Sequence, residues 1–293
     1  MKQPRSILLL AFGLLAVSVL GQSSKDSLSY QTILFRVTKP HSPNVSYLFG
    51  THHAFGQTFF DSLTTAKQCL YACDVLIKEN IHVPGQTATD VINNRETETN
   101  WAKYVSKIDL AFIRNLFATS PTDYNKLTPA EMHAFLIRYY NQTVCLGQDS
   151  SDTFLTLDDY IGQIAEEQNI ALMGLETTED QLEMINQDVA GMPKKVHKKR
   201  LHMAIEKIKA PSQNNCSETD WYRNMHIDYQ LNNSCTNTLM LTNRNENWMK
   251  TILPALEIKN CFIVLGLSHL KFTCGLINQL REQGYEVRPI QVN

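Results

Sequence analysis

Tyr47-Leu48-Phe49-Gly50-Thr51-His52-His53 and Ile263-Val264-Leu265-Gly266-Leu267-Ser268-His269 share one form: a short apolar run, a glycine, and a histidine three residues on. Each run has strand length, and glycine lets a chain leave a strand in conformations that other residues resist. His53 and His269 are therefore expected at the carboxyl ends of strands, where α/β proteins bind their ligands. Two further apolar runs, Val75-Leu76-Ile77-Lys78-Glu79 and Ala171-Leu172-Met173-Gly174-Leu175-Glu176, each finish on a glutamate. Four strand ends thus offer two imidazoles and two carboxylates.

Outward from these runs, residues 30–38 alternate apolar and polar, 39–44 form a proline-bearing turn, and 45–49 resume as a strand, so His53 follows a hairpin. A helix is expected over 61–73. Residues 98–140 are helical in period, with Thr128-Pro129-Ala130-Glu131 supplying a cap, a first-turn proline and an acidic third position. Thr156 caps a helix over 157–168, and Thr177 starts another. Helical period then dominates to Leu256, with a loop near 210–218. A last helix over 275–283 stops at Gly284 before a closing strand over 285–291. The pattern predicts an α/β (α+β) fold: a central mixed sheet flanked by helices, with long helical insertions over 85–155 and 178–250.

The first segment reads as an address. Lys2 and Arg5 precede an apolar run over 7–20, with Val19 and Gly21 at the small positions of a cleavage site, so the mature chain is expected to begin at Gln22 and to be periplasmic or secreted. No other segment approaches the ~20 apolar residues of a bilayer span. Loss of Lys2 and Arg5 leaves 25 basic against 29 acidic residues, a formal charge of −4, which argues against nucleic acid as a partner. The one basic run, Lys194-Lys195-Val196-His197-Lys198-Lys199-Arg200, reads as the solvated face of a helix.

Seven cysteines in an oxidising compartment leave at least one unpaired. Cys216 and Cys235 flank a polar, asparagine-rich stretch and are the expected disulfide. Cys261 and Cys274 read as core thiols, and the absence of a Cys-x-x-Cys pair argues against structural zinc.

Two imidazoles and two carboxylates suffice to hold a divalent ion that lowers the pKa of a bound water to roughly 7. The same groups without metal could work as a histidine base oriented by a carboxylate. His52 competes with His53, but the spacing repeated from Gly266 to His269 favours His53. Arg244 and Asn245 fall in a helix over 238–256 and by period alone form a surface polar pair. Ser268 lacks a Gly-x-Ser-x-Gly elbow, and no His-Glu-x-x-His helix is present. His82, His133, His197, His202 and His226 have no patterned partner and read as surface or packing residues.

Ser46–His53, the strand ending at Glu79, Met173-Gly174-Leu175-Glu176-Thr177 with Gln181, Arg244-Asn245 with Trp248, and Leu265–Leu270 with Gly275-Leu276 and Gly284-Tyr285 together resemble the TraB/GumN family, which includes the Tiki-type metalloproteases. The order and spacing cover nearly the whole mature chain. The resemblance implies a fold shared with Tiki proteases and, more distantly, with erythromycin esterases and ChaN-like haem-binding lipoproteins. It implies a metal-dependent peptidase using His53, His269 and Glu79 on manganese, cobalt or zinc, and it marks Glu176 and Arg244. His52 departs from the family pattern, where an apolar residue is usual. Three functions follow as expectations: a metal-dependent hydrolase of a peptide or small-molecule substrate, with Arg244 stabilising an oxyanion; a metal-independent ester hydrolase; and a haem- or ligand-binding protein without turnover.

Overall fold

The four apolar runs form adjacent parallel strands, three of them largely buried and the run ending at Glu176 half-exposed at the edge of the sheet; where a strand is covered on both faces, only a continuous apolar sequence avoids stranded polar groups. The computed structural model describes residues 29–81, 83–148, 156–210 and 216–293. The expected leader, its cleavage site and His82 lie outside them. The main sheet contains β2 (Leu34–Thr38), β3 (Val45–Thr51), β4 (Val75–Asn80), β5 (Ala171–Glu176), β7 (Cys261–Gly266) and β8 (Glu286–Ile290). Its order is β5-β4-β7-β3-β2-β8. β5, β4, β7 and β3 are mutually parallel, while β2 runs antiparallel to both β3 and β8. A separate two-stranded ladder joins β1 (Ser29–Tyr30) to β6 (Ile227–Asp228).

Helices surround the sheet: α1 (Gln57–Asp61), α2 (Thr64–Tyr71) and α3 (Ala88–Asn93) come first along the chain, and several of those that follow start where their sequences say they should. Thr128 and Thr177 each close a capping box, opening α5 (Pro129–Tyr139) and α7 (Thr178–Gln187), and the Thr156 hydroxyl caps α6 (Leu157–Glu167). The two insertions pack on each other. Ile113 of α4 (Lys107–Leu116), Met132 and Leu136 of α5, and Leu201 and Ile205 of α8 (Lys194–Lys209) form a second apolar cluster beside the sheet core.

Three sequence expectations are corrected. Cys216 pairs with Cys145, and Cys235 pairs with Cys274, so the Cys216–Cys235 bridge is absent and Cys274 is no thiol. The reason is packing. Residues 229–233 hydrogen-bond to Phe272 and Thr273, which brings Cys235 to Cys274, while Cys216 at the start of α9 (Ser217–Arg223) meets the π-helical turn Tyr140–Cys145. Cys69, Cys73 and Cys261 are buried and free. The helix expected over 238–256 divides into a π-helical turn, Thr238–Asn243, and α10 (Arg244–Ile258). Arg244 and Asn245 stand four residues before Trp248 and Met249 on the face of α10 that also carries Ile252 and Leu256, and both are buried rather than a surface pair.

Candidate active site

Parallel pairing puts the carboxyl ends of β3, β7, β4 and β5 on one sheet edge, with Thr51 opposite Gly266 and Asn80 opposite Glu176. His53 follows β3, Glu79 and Glu176 end β4 and β5, and His269 stands in the 3-10 turn Leu267–Leu270 after β7. Arg244 enters from the first turn of α10.

The Arg244 guanidinium organises the floor. Its Nε and Nη2 donate to the two oxygens of Glu176 at 2.8 and 2.7 Å, Nη2 also reaches Glu79 at 3.1 Å, and Nη1 reaches Nε2 of His269 at 3.1 Å. The Trp248 indole donates to Glu176 at 2.8 Å and lies under both Arg244 and His269. Glu79 also accepts from the Gly266 amide at 2.7 Å. Desolvation would raise the Glu79 carboxyl, but His269, Arg244 and His53 bring it below its ordinary value.

The His269 tautomer follows from its neighbours. Asn245 spends its amide donors on the carbonyls of His269 and Cys274, so its oxygen faces Nδ1 of His269 at 2.7 Å. Nδ1 therefore carries the proton, and Nε2 accepts from Arg244. Burial pushes this imidazole down to about 4, against the pull of Glu79 and with help from Arg244, so it is neutral near pH 7.

His53 sits at the mouth of the site with its side chain 59% exposed. Its Nδ1 lies 2.8 Å from Asp158, whose other oxygen accepts from Thr51 at 2.5 Å. Desolvation would lower the imidazole, but the charge and hydrogen bond of Asp158, with Glu79 beyond, hold it up at about 9. Among the described residues nothing hydrogen-bonds its Nε2. Sequence reasoning did not single out Asp158. Its signal was two carboxylates, Asp158 and Asp159, in one first helical turn, where the Thr156 cap engages only the second.

His52 turns away. Its Nδ1 accepts from the Ala54 amide, its Nε2 meets Glu218 at 3.2 Å, and its ring packs on Phe55 and Tyr222. The glycines serve a different purpose from the one expected, since neither Gly50 nor Gly266 has a positive φ. A Cβ at Gly50 would stand 2.6 Å from Leu267 in the turn that carries His269, and one at Gly266 would stand 3.1 Å from Glu79. Close approach, rather than a sharp exit, requires glycine here.

The donor types would suit a divalent ion, and Gly266 keeps the space beside Glu79 open. Two observations stand against it. Nε2 of His269 faces a guanidinium, and among the described residues only Asp109, His202 and Glu206, elsewhere in the fold, bring three donor atoms within 4.8 Å of one another. Glu176 also lines, with Asn80, Val83, Gln86, Gly174 and Thr177, a cleft of about 340 Å³, room for part of a substrate.

The fold and this edge define a class: an α/β protein whose parallel strands deliver histidines and glutamates to a buried arginine. The TraB/PrgY/gumN family model matches residues 33–289, and the chain belongs to that family. No curated protein and no solved structure matches the chain.

Proposed function

We propose that this protein is a hydrolase of peptide bonds or related carboxyl derivatives, in which His53, oriented by Asp158, activates water. The observation that carries this reading is the His53–Asp158 pair, a base and its orienting carboxylate, with the second ring nitrogen at the mouth of the site. Water would lose a proton to Nε2 as its oxygen attacks the substrate carbonyl carbon. Among the described residues four of the five guanidinium N–H groups of Arg244 are engaged, leaving one on Nη1 for the developing oxyanion. The imidazolium would then return its proton to the leaving nitrogen or oxygen as that bond to carbon breaks. The two disulfides support an oxidising compartment for this activity, as the leader reading expects.

A second reading keeps the hydrolase but places manganese, cobalt or zinc on His53, His269 and Glu79, where the ion would supply a Lewis acid and an activated water. The donor types and the open space at Gly266 favour it, and it requires Arg244 to release His269. Turnover of a peptide library, with ester substrates alongside, before and after chelation separates the two. The first reading expects activity that survives chelation, is lost in His53→Ala and persists in His52→Ala. Activity lost on chelation and restored by one of the three ions overturns the first reading in favour of the second.

A further inference from the structure

The basic run lies on α8 with its lysines in solvent, as the sequence reading expects. Lys195, Lys198 and Lys199 are exposed, and none has a carboxylate partner among the described residues. Lys194 lies over the Tyr104 ring. Lys194 and Lys195 occupy the first turn, which holds no acidic residue, and Pro193 provides no side-chain cap. Cations at that end oppose the helix dipole and weaken the helix they belong to, so folding does not account for them.

A neighbouring segment widens the surface. Tyr104 packs against Lys194 and His197, while Asp109 meets Lys209 and His202 near the other end of α8. The residues between, including exposed Lys107 and Ile108, therefore run alongside the helix. Ile108 is 75% exposed, and Met203, which continues the Lys195–Lys199 stripe at four-residue spacing, is 51% exposed. A cationic stripe ending in bare apolar side chains, on a molecule of net negative charge, matches a phosphate-rich surface with an apolar layer beneath it.

We infer that α8 and the start of α4 form a peripheral docking face for anionic phospholipid bilayers, with the lysines on headgroup phosphates and Ile108 and Met203 at the acyl boundary. This inference does not depend on the hydrolase reading.

Co-sedimentation of the full chain with phosphatidylglycerol–phosphatidylcholine vesicles tests it. Binding should exceed that to pure phosphatidylcholine and fall as salt rises. The exposed triple variant Lys195→Glu, Lys198→Glu, Lys199→Glu, its fold checked by circular dichroism, should lower partitioning by about a hundredfold or more. Ile108→Gln with Met203→Gln should weaken binding severalfold while keeping the salt dependence. Equal binding to neutral vesicles, or an unaffected triple variant, overturns the inference. So does heparin binding as tight as vesicle binding with no effect of the apolar changes, which would mark a site for soluble polyanions.

Discussion

Replacing Asp158 by asparagine tests the His53 pair with little steric change. The new side-chain oxygen can still accept from Thr51, but its amide nitrogen faces Nδ1 of His53 and can only donate. The imidazole proton is then forced onto Nε2, and the nitrogen meant to act as base is blocked. Loss of activity on the order of 10³–10⁴ follows, as for wrong-tautomer changes in other histidine–carboxylate pairs. The imidazole should also fall from about 9 toward its ordinary 6.5. At 1.36 kcal/mol per pH unit that interval is roughly 3 kcal/mol, and solvent screening of a half-exposed ring reduces the stability at stake to about 1 kcal/mol. The sign is fixed by the raised native value. Below pH 6.5 both native and unfolded chains hold the proton and the stabilisation is complete, and it is lost as pH rises toward 9. Urea midpoints of the wild type should therefore decline over that window, with the decline absent in Asp158→Asn, and wild-type kcat/KM should climb toward pH 9. Titration of His53 by NMR gives the direct reading. A wild-type value near 6.5, or a variant retaining activity within tenfold, would refute the argument.

Arg244→Met leaves Glu79 and Glu176 without their shared cation and should cost about 3–5 kcal/mol in urea unfolding, a loss below 1 kcal/mol contradicting the described network. Gly50→Ala drives a methyl against the turn carrying His269 and should destabilise by about 1–3 kcal/mol, with activity falling in parallel. Replacing Cys145 and Cys216 by serine opens a crosslink spanning 71 residues and should lower stability by about 4 kcal/mol in the chain-entropy model. Non-reducing peptide mapping should recover Cys145–Cys216 and Cys235–Cys274, and a Cys216–Cys235 peptide would contradict both pairings.

What the sequence settled by itself was local. Short apolar runs read as strands, and caps such as Thr128, Thr156 and Thr177 placed helix starts, because hydrophobic period and first-turn hydrogen bonds involve residues a few positions apart. The same logic put His53, Glu79, Glu176 and His269 at strand ends. Tertiary structure alone decided that Asp158 serves His53, since a helix capped more than a hundred positions later must pack on β4 and β5 to carry Asp158 to the end of β3. It alone gave Arg244 its partners, because the Glu79 and Glu176 carboxylates that let its charge be buried come from the ends of strands far away along the chain. It also chose the disulfides. Cysteine pairing follows the distance between packed segments, and spacing along the chain carries no information about which segments will meet.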